Sequence, residues 1–408
     1  MKTNSLVKRI VLFLARALGC VLLLIVLVLG WLWIQNNKRV ILPRPTGPYA
    51  VGRAEFDWVD ESRLETLMDR TDKKRELEVW LWYPAETVRP SDHPAEYLPS
   101  NWRKARESGQ GFAARFLMQN LGSVQCHAVE DAPLAHKQAS YPVLIFEPGL
   151  GPIVPDYTTL AEEMASQGYI VAACTPTCSA SVVVFQDGRA EYATTGGSIP
   201  DAASVEESNK ILNRLIKTWA DDDVFVLNQL EKLNRSHPGT FAGKLDLQSV
   251  GVFGHSFGGC AAAEVCHLDS RFKAAVNIDG YPRGDVIESG MTQPLMFIWS
   301  VHNDAANAPD AELEQANRNI QAIYNRLTNG GCQITLKGAR HFNFTDNGLF
   351  CSSFFRMQHA MGTIDGRRAL LITTDYLRAF FDHYLKGSDE PLLRSASPKY
   401  PEVIFESR

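Results

Sequence analysis

The first strong feature of the pattern is an apolar run without a polar break: Ala17 to Ile34 holds 18 residues with no charge, preceded by Lys2, Lys8, Arg9 and Arg16. A helix rising about 1.5 Å per residue crosses a hydrocarbon core of about 30 Å in roughly 20 residues, so the run predicts one bilayer-spanning helix. A cleaved signal peptide competes with this, since a basic start followed by an apolar stretch serves both. The stretch is long for a signal peptide, and Trp31-Leu32-Trp33-Ile34-Gln35 offers no small-residue cleavage site. Lys38, Arg39 and Arg44 follow closely, so charge bias favours a cytoplasmic N-terminus by a narrow margin, with the rest of the chain outside the cytoplasm.

Beyond the run, prolines 43, 45 and 48 and Gly47 sit among polar residues, and the segment 41–70 reads as a linker. Short apolar runs bounded by glycine or proline then alternate with helical spacing. Strands are expected at Glu76 to Tyr83, Pro142 to Phe146, Tyr169 to Cys174, Ser249 to Phe253, Ala274 to Ile278, Leu295 to Trp299 and Cys332 to Leu336. Helices are expected at Tyr157 to Gln167, across Ala202 to Leu233 as one long or two short segments, at Phe257 to His267 and Ala311 to Leu327, and at Arg368 to Leu385, which is expected to close the chain. Strands that read apolar throughout and alternate with helices predict an α/β fold with a mostly parallel sheet covered on both faces. The expected organisation is a cytoplasmic stub and anchor over 1–40, the linker over 41–70, and one folded domain over 71–408.

Composition changes this picture little. The 408 residues are 45% hydrophobic and 21% charged, with 41 basic and 46 acidic side chains mixed along the chain, which argues against disorder and against nucleic acid as a partner. Of eight cysteines, several fall in apolar runs where a thiol packs as core, and Cys174 and Cys178 lack the further ligands a zinc site needs. No metal or organic cofactor is implied, and nothing in the pattern sets an oligomeric state.

The chemistry concentrates at Gly254-His255-Ser256-Phe257-Gly258, a G-x-S-x-G motif between an expected strand and an expected helix. In that context the serine sits on a sharp elbow, Gly254 and Gly258 let strand and helix approach, and the helix start faces the charge that forms on attack. A serine hydroxyl needs a base. His341, in the loop after the last expected strand, is the favoured one; His255 adjoins the serine but points from the neighbouring elbow position and is read as structural, and His302 and His267 rank lower. The acid stays open between Asp279, at the end of the strand after the nucleophile helix, and Asp304, after the next strand. Two backbone donors are needed for the oxyanion, and the N–H groups of Phe257 and Leu150 are chosen, the latter in Gly149-Leu150-Gly151.

The ordered set Trp82-Tyr83-Pro84, Gly149-Leu150-Gly151, Gly168-Tyr169-Ile170-Val171-Ala172-Ala173, Gly254-His255-Ser256-Phe257-Gly258-Gly259, Asp279 and His341-Phe342-Asn343-Phe344 resembles the plasma and intracellular type II platelet-activating factor acetylhydrolases and their microbial homologues, relatives of the dienelactone hydrolases. The resemblance runs from about Val79 to Tyr384. It implies an α/β-hydrolase fold, a triad of Ser256, His341 and Asp279 in preference to Asp304, and oxyanion donors at Leu150 and Phe257. It further implies a serine ester hydrolase acting on short or oxidised acyl groups at the glycerol 2-position of phospholipids. Pro148 departs from the histidine common before Gly-Leu-Gly, and the N-terminal span departs from the expected secretory or lipid-anchored start. A broad carboxylesterase acting on small or polymeric esters, and a noncatalytic binding domain on the same scaffold, are the alternatives.

Overall fold

The computed structural model describes residues 2–68, 72–86, 92–108, 118–199, 204–301, 311–350 and 361–407. An apolar helix, Lys2–Asn36, leads the chain. The strands follow in order as β1 (Val40–Ile41), β2 (Ala50–Leu64), β3 (Lys74–Ala85), β4 (Pro94–Glu96), β5 (Val124–Glu130), β6 (Tyr141–Glu147), β7 (Ile170–Thr175), β8 (Val182–Val184), β9 (Ala190–Tyr192), β10 (Leu245–His255), β11 (Phe272–Ile278), β12 (Leu295–Trp299), β13 (Gly331–Leu336) and β14 (Val403–Ser407). Eleven of them make one path, β1-β5-β2-β3-β7-β6-β10-β11-β12-β13-β14, with β4 paired to β5 and a separate β8-β9 hairpin.

The block from β7 through β6, β10, β11 and β12 to β13 is parallel throughout. Parallel neighbours need crossovers, and these supply the helices on both faces. Alternate residues of β3 and β6 face opposite ways: Trp80, Trp82, Leu144 and Phe146 join one core, and Leu77, Val79, Leu81, Val143 and Ile145 the other. The first core is closed by the helices Thr158–Ser166 and Gly366–Lys386, through Leu160, Met164, Leu377 and Phe381. The second is closed by Val205–Arg235, Phe257–Leu268 and Ala311–Tyr324, through Val226, Leu230, Val265 and Ile323. The mostly parallel sheet covered on both faces that the alternating pattern predicts is present, in the α/β-hydrolase architecture that the resemblance implies.

Two expectations are corrected. The stretch 41–70 is not a linker, because β2 pairs with β3 over twelve antiparallel registers and with β5 in parallel, so the folded unit begins at Val40. The apolar helix is also joined to that unit directly: Asn120 N–H donates to the Asn36 carbonyl, Asn120 Nδ2 to Asn37, and Ser123 Oγ to the Lys38 carbonyl. The chain does not end in the helix Gly366–Lys386; β14 returns antiparallel to cover the outer edge of β13.

Candidate active site

The site is assembled at the carboxyl ends of β6, β10, β11 and β13, where a parallel sheet presents its loops. Strand β10 stops at His255, and Ser256 takes φ +58° and ψ −120° before the helix Phe257–Leu268 starts. A side chain other than hydrogen is sterically shut out on both sides of this elbow. A Cβ at Gly254 would lie 2.2 Å from the Gly258 carbonyl carbon, and one at Gly258 would lie 2.3 Å from the Glu147 carbonyl oxygen. The turn is pinned by Ser256 N–H donating to the Ile278 carbonyl at 2.7 Å.

Asp279 follows β11, also at positive φ, +56°. Its Oδ1 accepts from Ser300 N–H at 2.7 Å, and its Oδ2 accepts from Ser300 Oγ at 3.0 Å and from His341 Nδ1 at 2.7 Å. His341 opens the short helical turn His341–Phe344 after β13, and its Nε2 lies 3.0 Å from Ser256 Oγ. The carboxylate is shut away from water while the imidazole is 36% exposed, so the line runs from a buried anchor to an accessible hydroxyl. Asp304, the other candidate acid, and His302 lie outside the described residues. Ser300 was not anticipated from the sequence; only the adjacency of β11 and β12 brings its two donors onto Asp279.

Leu150 and Phe257 lie together beside the elbow. The N–H groups of Gly149 and Gly151 donate to Tyr157 Oη at 3.0 Å and the Ser179 carbonyl at 3.2 Å, whereas the Leu150 N–H between them has no acceptor among the described residues. Phe257 is the first helical residue, so its N–H has no partner within the helix. The Leu150 side chain packs on a small cluster containing Phe257 and Trp219, whose rings meet edge to face at 4.9 Å.

A cavity of about 310 Å³ opens over this arrangement, lined by Ser256, Phe257, Cys260, Asp279, Tyr281, Arg283 and His341. Cys260 does not compete as a nucleophile: burial pushes its thiol up to about 12, and its Sγ donates to the Tyr281 carbonyl. His255 is buried, and both its nitrogens are engaged, Nδ1 with Tyr157 Oη at 2.8 Å and Nε2 with the His341 carbonyl at 2.9 Å. It therefore cannot serve as the base. Nor do His255, Asp279 and His341, whose donor atoms lie within 4.8 Å of one another, form a metal centre, because the His255 nitrogens and His341 Nδ1 are already committed to hydrogen bonds.

A doubly covered parallel sheet, a serine on a strained elbow, a histidine and a buried aspartate in line with it, and backbone donors beside it define a carboxylic ester hydrolase of the α/β-hydrolase class. Comparison with known proteins narrows this. The chain belongs to the family described as platelet-activating factor acetylhydrolase, isoform II, which matches residues 34–391. It is 26% identical to the platelet-activating factor acetylhydrolase of Cavia porcellus, over 86% of this chain and 82% of that protein. It is 25% identical to a probable 1-alkyl-2-acetylglycerophosphocholine esterase of Arthroderma benhamiae, over 90% of this chain and 93% of that one. Among solved structures, a ferulic acid esterase from Streptomyces cinnamoneus superposes with a TM-score of 0.73 at 28% identity, covering 90% of this chain and 99% of its own.

Proposed function

We propose that Ser256 is the nucleophile, His341 the general base and Asp279 its orienting acid, with the N–H groups of Leu150 and Phe257 as the oxyanion hole. The observation that carries this reading is the unbroken line Asp279 Oδ2, His341 Nδ1 and Nε2, Ser256 Oγ, with spacings of 2.7 and 3.0 Å. Ser256 Oγ bonds to the ester carbonyl carbon as its proton passes to His341 Nε2. Asp279 stabilises the imidazolium through Nδ1–H without taking that proton. The negative charge moves onto the carbonyl oxygen, where Leu150 and Phe257 donate to it. Collapse breaks the bond to the alcohol, which leaves with the proton from Nε2. Water, deprotonated by the same histidine, then attacks the acyl-serine, and a second collapse releases the acid and restores Ser256.

The substrate we infer is a phospholipid carrying a short or oxidised acyl group at the glycerol 2-position. Family membership and the names of the guinea pig and fungal relatives support it, and so does a compact cavity suited to a short acyl group. We take the helix Val7–Asn36, long and apolar enough to cross a membrane, as an uncleaved anchor that holds the domain beside its lipid, outside the cytoplasm. The ferulic acid esterase likeness favours a second reading, a carboxylesterase acting on small or polymeric esters.

The test is acetate release from a 2-acetyl phospholipid and from nitrophenyl acetate by the full-length protein in detergent. Ser256-dependent cleavage of the phospholipid supports the lipid reading. Cleavage of the nitrophenyl ester alone replaces it with the second reading, and activity that survives Ser256→Ala overturns the mechanism.

A further inference from the structure

We propose that Tyr157 and His255 form a directional hydrogen-bond relay that positions the oxyanion loop and the base relative to each other; this rests on the roles assigned above to Ser256, His341 and Leu150. The relay starts at the loop after β6, where Gly149 N–H donates to Tyr157 Oη at 3.0 Å. It continues to His255 Nδ1 at 2.8 Å and ends from His255 Nε2 on the His341 backbone carbonyl at 2.9 Å. The loops it joins belong to β6 and to β13, which are separated in the sheet by β10, β11 and β12.

Every proton in the relay has one available place. The His341 carbonyl only accepts, so His255 Nε2 must carry hydrogen. Burial pushes His255 down to about 3, so the ring is neutral and Nδ1 is bare. Tyr157 Oη then donates to Nδ1, and its lone pair receives the Gly149 N–H. The other tautomer would set the Nε2 lone pair against the His341 carbonyl oxygen and leave Tyr157 with no acceptor, a costly pair of losses at two fully buried side chains.

The packing leaves this arrangement little slack. A Cβ on Gly149 would lie 3.2 Å from Ser256 Cβ, 3.3 Å from His255 Nδ1 and 3.4 Å from Tyr157 Oη, so the loop passes directly over nucleophile and relay. The His255 and His341 rings lie 4.5 Å apart at 39°. With the Gly149 N–H held down on Tyr157 and the Gly151 N–H on Ser179, the intervening Leu150 N–H is the one turned free. The relay thus sets the distance between where the proton is taken and where the oxyanion is held. That distance matters most in the transition state, so the relay should act on kcat more than on KM.

The experiment uses the full-length protein in detergent with nitrophenyl acetate, its reactive serine counted by an organophosphate so that kcat is per competent site. Tyr157→Phe keeps the ring and removes the hydroxyl. We expect kcat to fall about 10- to 100-fold with KM within about threefold, as for small misplacements of reacting groups. Affinity for a trifluoromethyl ketone, which mimics the tetrahedral intermediate, should fall by the same factor. His255→Leu should lose at least as much, and His255→Gln, whose amide still donates to the His341 carbonyl, should recover most of it. Tyr169→Phe, which removes a buried hydroxyl bonded to Asp382, is the control and should keep kcat within about twofold. The relay is overturned if Tyr157→Phe keeps parental kcat per titrated serine, if its ketone affinity is unchanged, or if Tyr169→Phe loses as much. Should Ser256→Ala retain activity, the catalytic reading itself fails; an inactive Ser256→Ala beside a normal Tyr157→Phe removes the relay alone. If His255→Leu does not fold, Tyr157→Phe still decides.

Discussion

Among the described residues Asp279 accepts from Ser300 N–H, from Ser300 Oγ and from the base His341. The two contributions are therefore separable. Asp279→Asn should lower kcat on the order of 10⁴-fold by presenting the wrong tautomer to His341, whereas Ser300→Ala, which keeps its backbone donor, should cost only about tenfold. Steady-state kinetics on nitrophenyl acetate reads both, and equal losses would contradict this division. A second residue-scale effect concerns Glu147 and Asp223, buried carboxyls held well above their usual range by burial and then by the neighbouring acids. A carboxyl raised in the folded state binds its proton there more tightly than in the unfolded chain. Its stabilising contribution is complete below the unfolded value, 4.5 for Glu147, and is lost as pH climbs towards the folded value. Thermal unfolding of Glu147→Gln should accordingly show a flatter decline of Tm with rising pH than the parent; parallel curves would count against a raised carboxyl at Glu147. His255 works in the opposite sense. Its folded value is lowered to about 3 from 6.5, so it withdraws stability as pH falls through that interval.

At the scale of elements, β3, β6, β7 and β10 to β13 were legible: burial on both faces makes β6, β7 and β10 to β12 short apolar runs, whereas β13 alternates buried and half-buried positions. β2 was not legible. Its 15 residues carry Arg53, Glu55, Asp57, Asp60, Glu61 and Arg63, and the prolines before it mimic a linker. Apart from Glu61, which is exposed, those charges are wholly or partly buried: Arg53 stacks 4.3 Å over Trp80 and bonds to the Glu96 carbonyl, a partner no local pattern reveals. The C-terminal β14 was missed for a similar reason, since five residues of which only Val403 is buried acquire strand character only by pairing with β13. Arg75, buried on β3, joins Glu65, Asp222 and the Thr177 carbonyl, tying β3 to the helix Val205–Arg235. Arg75→Met leaves buried Glu65 without its cation and Asp222 with Arg63 alone, and should destabilise the fold by about 3–5 kcal/mol in denaturant titration. A loss below about 1 kcal/mol would show that the acids neutralise themselves instead.

For the whole molecule, the apolar helix is continuous with the enzyme rather than strung on a tether. Its end is bonded through Asn36, Asn37 and Lys38 to the loop before β5, and Arg367 donates to the Ile41 carbonyl. An anchor joined in this way would hold the catalytic cavity at a set attitude to the bilayer. If it is retained, the protein expressed in cells should resist extraction from membranes at alkaline pH, with mass spectrometry recovering an intact N-terminus. A soluble product that begins after Gln35 would instead establish cleavage.

Sequence by itself determined the fold class and singled out Ser256 as the proposed nucleophile and His341 as the proposed base, because these depend on local rules: apolar runs of strand length, glycines where strand and helix must touch, and a histidine in the loop after a late strand. It also limited the acid to two candidates, which the family resemblance reduced to Asp279. Tertiary structure decided the rest. Ser300 reaches Asp279 only because β12 lies beside β11. Tyr157 and His255 meet because the loop after β6 crosses over the nucleophile, and β2 is a strand because β3 and β5 flank it. Each of these is a pairing across long stretches of chain, and a buried donor and acceptor leave no mark in sequence until the sheet brings them within hydrogen-bond reach.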